Sequence, residues 1–390
     1  MTKLNIIKVD YLKAAVLFLP IILYGPFVFS TMVYPPIRIG AYLLLSFYLF
    51  FKSTCYFKKD VLIFCILFLL SIFLVSGNRS GTIGLFSTGN FLLTMFFGWG
   101  LFRYFSTSTR RAEILIELYV KFFFLVSIFS LLSVLFLLTF GELDLFGFNL
   151  NPLVNPYPYK VTPFGYLLEK RFGSITVYRS FFYFIEPVYL SIFYAANIFL
   201  IAPYIKVNSR LFFMANVVGG LLTYSYAFYI MLIALYIAKN LKSHFILISM
   251  LILLFILMYY LQIIDVFLYS SFNQRLERLL LFTTSIETAN TLELLFGHGV
   301  RTDPGFSMGF SSGLAVSIYE LGIIPTVLEM LILFRLRPSF IIFVFFIIAS
   351  AVIDPIKLPI FWFLIIITSH TLSPLHIHNP PGWGKRLSGR

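Results

Sequence analysis

Apolar residues in this chain fall in long unbroken runs rather than in alternating or stripe-like patterns. The runs lie at about 14–33, 38–51, 61–75, 84–102, 122–140, 183–205, 211–238, 245–264, 311–334, 339–353 and 358–372. Several reach the roughly 18–20 residues that carry a helix across a hydrocarbon core. Pro, Gly and charged residues punctuate the intervals, as loops between spans should be. The pattern predicts an all-α, polytopic integral membrane helical bundle forming a single domain over 1–372. Two intervals, about 141–182 and about 265–310, greatly exceed the usual few-residue connection, which marks them as functional candidates.

One run needs a second criterion. The stretch 211–238 is long for one crossing and short for two, and Thr223 and Ser225 interrupt it. Positive charge decides the matter, because short cytoplasmic loops collect Lys and Arg. With two crossings, Lys3, Lys8, Lys13, Lys52, Lys58, Lys59, Arg103, Arg110, Arg111, Lys206, Arg210, Lys239, Lys242, Arg335 and Arg337 share one side. The short loops opposite then hold only Arg38, Arg79 and Lys357. With one crossing that asymmetry collapses. The expected layout is therefore about twelve transmembrane helices, with both termini cytoplasmic and both long loops outside. Residues 373–390, rich in Pro, Gly and basic side chains, read as a cytoplasmic tail.

Composition agrees. The 390 residues have a mean hydropathy of +0.94 and only 12% charged side chains. The net charge of +13 is a topology signal with some affinity for anionic membrane lipids. It does not imply nucleic acid. The basic N-terminus leads into the first apolar run without a small-residue cleavage site, so it reads as a retained span. Cys55 and Cys65 are too few, and too apolar in setting, for a disulfide framework or metal site. No metal and no cofactor is expected; Glu142-x-Asp144 is a lone acidic pair, and His376 and His378 stand in the tail.

Ionisable residues of the outer half gather in the two long loops and the span ends beside them. The first group includes Lys160, Glu169, Lys170, Arg171, Arg179 and Glu186; the second includes Arg275, Arg278, Glu293, His298, Arg301 and Asp303, with Glu320 entering the next span. The guanidinium fork stays charged and donates two parallel hydrogen bonds, which suits a diphosphate. Arg171, Arg179, Arg275, Arg278 and Arg301 are the candidate clamps, and Glu186, His298 and Glu320 the candidate bases. Each has a plainer reading. Arg275 and Arg278 sit in an amphipathic stretch suited to a membrane surface, and His298 stands between glycines in a loop. Glu320 could be hydrogen-bonded for structure alone. Arg179 and Glu186, seven apart, would share one face of a helix and could simply pair.

Three segments resemble motifs of the O-antigen polymerase and ligase superfamily. RSFFYFIEP (Arg179–Pro187) is similar to its R-x-x-G-x-x-x-[E/N]-P element after the large outer loop. LLTYSYAF (Leu221–Phe228) resembles its L-T-x-S-R turn between two short spans. LFGHG followed by YELGIIP resembles its second outer loop and the E-x-G-x-x-G helix. Phe182, Tyr226 and Pro325 stand where Gly, Arg and Gly are usual. The resemblance covers the later half of the chain by motif and the earlier half by hydropathy alone.

It implies a glycosyltransferase that moves a glycan from an undecaprenyl-diphosphate carrier to an acceptor hydroxyl on the outer membrane face. Implied partners are the lipid-linked oligosaccharide, membrane lipids, and a chain-length regulator and flippase of the same pathway. A polymerase of O-antigen, capsular or other exopolysaccharide repeat units is the leading expectation. One alternative is an O-antigen ligase, which carries a His shortly before the E-x-G-x-x-G helix, a region holding Ser307, Ser311 and Ser312 here. The other is a polysaccharide flippase, in which charged residues would line several spans; most spans here are uncharged.

Overall fold

The computed structural model describes residues 35–52, parts of 93–105, 108–141, 159–172, 175–182, 187–205, 209–240, 280–298, 313–335 and 359–371, with isolated positions elsewhere. Helix predominates among them, as the apolar runs predict. The helices are α1 (Pro35–Lys52), α2 (Thr109–Phe140), α3 (Pro187–Ala196), α4 (Ser209–Leu222), α5 (Tyr226–Asn240), α6 (Thr291–Phe296), α7 (Gly313–Leu321), α8 (Ile323–Arg335) and α9 (Pro359–Thr371). The chain divides into two compact units: 1–41, 101–235 and 359–390 form one, and 42–100 with 236–358 the other. The tail at 373–390 lies outside the described residues.

Helix α2 organises the first unit. Among the described residues its Arg110–Phe140 stretch is the one helix long and apolar enough to cross a membrane. It buries apolar residues such as Leu115, Phe123 and Val126, and its later turns carry both exposed leucines and buried serines. Leu125, Leu135 and Leu138 are exposed, while Ser127, Ser130 and Ser133 are buried. Each buried serine has a partner. Ser127 donates to the Phe123 carbonyl (2.9 Å), Ser130 meets the Tyr194 hydroxyl (3.2 Å), and Ser133 accepts from Thr162 (3.1 Å). A second polar chain links α2, the π-helical turn 197–201 that follows α3, and α4: Tyr119 donates to Asn197 (2.9 Å), Asn197 to Asn216 (2.8 Å), and Asn216 to the Phe212 carbonyl (2.7 Å). Such bonds tie helices together where apolar burial alone gives little preference.

The long interval after α2 adds a small sheet to the mainly helical chain. Within 141–182 the chain forms an antiparallel sheet in the order β1 (Tyr159–Thr162), β2 (Gly165–Phe172), β3 (Ile175–Phe182). The local sequence explains it: Val, Thr, Ile, Tyr and Phe crowd these segments, and they suit a pleated, half-buried surface. Gly165 turns the chain at φ +146, where an added Cβ would strike the Phe182 backbone at 2.9–3.1 Å. The sheet packs on α2 through Phe164 and Phe182, whose rings lie 5.9 and 6.0 Å from that of Phe129, and through Thr162 on Ser133. Pro187 then opens α3, a position where its missing N–H costs nothing.

Two further runs divide. The stretch 211–238 breaks at Thr223–Ser225 into α4 and α5, the interruption its polar residues predict. The run 311–334 holds two helices, α7 and α8, separated at Gly322 with φ +87.

Candidate active site

In the first unit the candidate cation is Arg179, and it comes from a strand. β3 places it opposite Leu168. The side chain, half-buried, donates from Nε to the Thr223 carbonyl at 3.0 Å. That carbonyl belongs to the turn between α4 and α5, where Tyr224 adopts φ +43 and the Thr223 hydroxyl caps the Gly220 carbonyl at 2.6 Å. Ser225 in the same turn meets the Ser191 hydroxyl of α3 at 3.2 Å. The segments carrying the first two motifs, 44 residues apart, thus meet at one hydrogen bond. Gly219 and Gly220 make room for this assembly: a Cβ on either would run into the ring of Tyr194 or Phe228. A guanidinium anchored by Nε has a fixed plane, which is what two-oxygen recognition needs.

The strand overturns one expectation. Arg179 and Glu186 do not share a helical face, because Arg179 lies in β3 and α3 begins only at Pro187; Glu186 itself is outside the described residues. Arg171 stands in β2 opposite Thr176.

The second unit holds His298 and Glu320. The 265–310 interval is not plain loop: 280–288 is helical, and α6 follows. Asn290 and Glu293 build a reciprocal cap on α6, each side chain accepting the other's backbone N–H at 2.9 Å. This sequence signature, Asn-x-x-Glu before an apolar run, was open to reading. Gly297 ends α6 at φ +76 and lets its backbone lie against the Glu320 and Leu321 backbone, where a Cβ would collide. Gly322 answers from the other side, against Gly297 and Leu295. These contacts are backbone on backbone, so only glycine fits.

His298 is anything but a plain loop residue. Its backbone N–H donates to the Tyr319 carbonyl at 2.9 Å, and its ring stacks on the Tyr319 ring at 4.2 Å and 12°. Nδ1 lies 3.2 Å from the same carbonyl, and Nε2 lies 3.8 Å from the Glu293 carboxylate. A carbonyl only accepts, so in the Nδ1 contact the ring nitrogen is the donor. Glu320, at the end of α7, is 4% exposed. A groove of about 440 Å³ along the α7–α8 seam is walled by groups such as Ile318, Ile323 and Val327. Apart from Thr326 its lining is apolar, and it offers no charged side chain to a diphosphate.

Arg275, Arg278 and Arg301 lie outside the described residues, as do Glu142 and Asp144, and of Arg171 only the backbone is described. No group of three or more metal-ligating side chains occurs among the described residues. Three participants escaped the sequence reading. Thr223 acts through a carbonyl, and Tyr319 through ring and carbonyl contacts that no motif specifies. Glu293 was readable as a cap but not as a neighbour of His298. No family model matches the chain, and neither does any curated protein or solved structure.

Proposed function

We propose that this chain is a multispanning glycosyltransferase of the bacterial inner membrane. Its particular reaction is polymerisation: an undecaprenyl-diphosphate-linked glycan is transferred to the acceptor hydroxyl of a second lipid-linked repeat unit on the outer face. The layout that goes with this reading has about twelve spans, cytoplasmic termini and the 141–182 and 265–310 segments outside. The length and apolar composition of α2, with Leu125, Leu135 and Leu138 exposed along its later turns, support immersion in lipid.

The observation that carries the reading is the Arg179–Thr223 bond, which joins two separately recognised motifs and fixes the plane of a guanidinium. A diphosphate is a good leaving group once cations hold its charge, so the enzyme's task is charge stabilisation rather than acid catalysis. Within the first unit Arg179 is the candidate for that charge. Within the second, His298 and Glu320 are the candidates for accepting the acceptor hydroxyl's proton.

Deletion of the gene tests the assignment. A surface glycan reduced to a single repeat unit is the expected result. Full-length polymer left on its carrier would identify a ligase instead, and loss of every exported unit a flippase.

A further inference from the structure

We infer that Thr223 is a positioning residue for Arg179: its hydroxyl locks the turn whose carbonyl holds the guanidinium. This rests on the reading of Arg179 as a diphosphate-binding cation of the polymerisation reaction. The carbonyl that Arg179 meets comes directly after α4, and the last carbonyls of a helix have no intrahelical donor. Its two predecessors of the final turn are satisfied locally. The Thr223 N–H bonds the Gly220 carbonyl at 3.2 Å, and the Tyr224 N–H bonds the Leu221 carbonyl at 3.0 Å. Tyr224 then turns the chain at φ +43, a left-handed position, and the Thr223 carbonyl takes its donor from β3. A cation suits that place, because the carbonyl end of a helix carries partial negative charge.

Hydroxyls hold the turn at both ends. The Thr223 hydroxyl donates to the Gly220 carbonyl at 2.6 Å, a second bond on the acceptor its own N–H already uses. At the other end Ser225 meets Ser191 of α3 at 3.2 Å, and Ser191 bonds the Val188 carbonyl at 2.7 Å. Thr223 and Ser191 are 0% exposed and Ser225 1%, so bulk water does not compete for these bonds.

The consequence is orientation rather than charge. The guanidinium reaches across from a separate element, 44 residues away in sequence, so its plane follows the carbonyl it bonds. When the turn rocks, Nε rocks with it, and the fork loses its alignment with two phosphate oxygens.

The test uses full-length purified protein with isotope-labelled arginine nitrogens, the Arg179 signal being the one lost in Arg179→Lys. In the wild type the Arg179 Nε–H should exchange slowly with water. Thr223→Val keeps the side-chain shape, removes the hydroxyl and leaves the Gly220 carbonyl its backbone donor. Exchange at Nε should quicken and elongation of lipid-linked repeats should fall, each about fivefold, the effect of losing one hydrogen bond. Thr223→Ser keeps the hydroxyl and should match the wild type in both measurements. In the Arg179→Ala background Thr223→Val should cost no further elongation, because Thr223 acts through the guanidinium. Ser225→Ala loosens the other end of the turn and should quicken the same signal, which decides the matter where Thr223→Val protein fails to accumulate. Unchanged exchange in these variants overturns the positioning role. So does a Thr223→Ser protein as impaired as Thr223→Val, or an equal loss of rate in both backgrounds. If exchange shifts as expected while the wild-type protein elongates nothing, the positioning stands and the polymerase reading fails.

Discussion

Arg179 reaches its partner through a long side chain, whereas His298 is fixed by main chain lying directly on main chain. In the first unit, β3 and the α4–α5 turn are separate elements bridged by one guanidinium bond and surrounded by buried hydroxyls and amides. In the second, Gly297 and Gly322 bring α6 and the α7–α8 junction so close that no Cβ fits. The contrast separates two kinds of fragility. A side-chain tie can be cut with the fold intact, while a glycine contact cannot be altered without moving the backbone.

The largest effect is therefore expected at Gly297→Ala and Gly322→Ala. Each adds a Cβ in a left-handed backbone position against a facing main chain, which costs about 2–5 kcal/mol from strain and overpacking together. Protein level in the membrane should fall sharply, measured by immunoblot against wild type; normal accumulation would mean the two segments are not in this contact. Glu320→Gln comes next. If this carboxylate is the base, elongation falls by roughly 10²–10⁴-fold at normal protein level. If it serves structure alone, the amide keeps the hydrogen bonds and activity stays within about twofold.

Arg179→Ala should cost about 2–4 kcal/mol of transition-state stabilisation, judged by analogy with the loss of one oxyanion donor. Arg179→Lys should recover only part of that, because the ammonium keeps charge and loses the planar fork. Product ladders from matched amounts of protein distinguish the two. The smallest effect belongs to Tyr119→Phe, which removes one bond of the polar chain to Asn197. A loss of about 0.6 kcal/mol, the usual worth of an interhelical bond in a membrane, should appear as a slight drop in thermal midpoint with activity retained.

Much of the architecture was legible in sequence because helix in a membrane-like chain depends on run length alone. The break at Thr223–Ser225 is an example: polar residues inside an apolar run forced it. The sheet at 159–182 was not legible as such, because Arg179–Pro187 reads equally well as a helix start, and only the Gly165 turn and packing on Phe129 favour strand. The division of 311–334 turns on one glycine, Gly322, whose φ no apolar pattern reveals. At the site, residue types were readable and neighbours were not. His298 and Glu320 stand out as ionisable groups in apolar company, yet Tyr319 and the Thr223 carbonyl owe their roles to tertiary contact. Phe182 shows a departure made intelligible: it stands where the resembling motif has Gly, and its φ of +52 is a backbone position glycine favours. The aromatic contact with Phe129 accompanies that strained position.

The central claim is that this protein itself joins lipid-linked repeat units, and reconstitution tests it most directly. Purified protein in vesicles, given only undecaprenyl-diphosphate-linked repeat unit, should produce a ladder of carrier-bound oligomers. Arg179→Ala at equal protein content should leave mostly the single unit. A wild-type sample that consumes no substrate, or an Arg179→Ala ladder identical to wild type, would contradict the account.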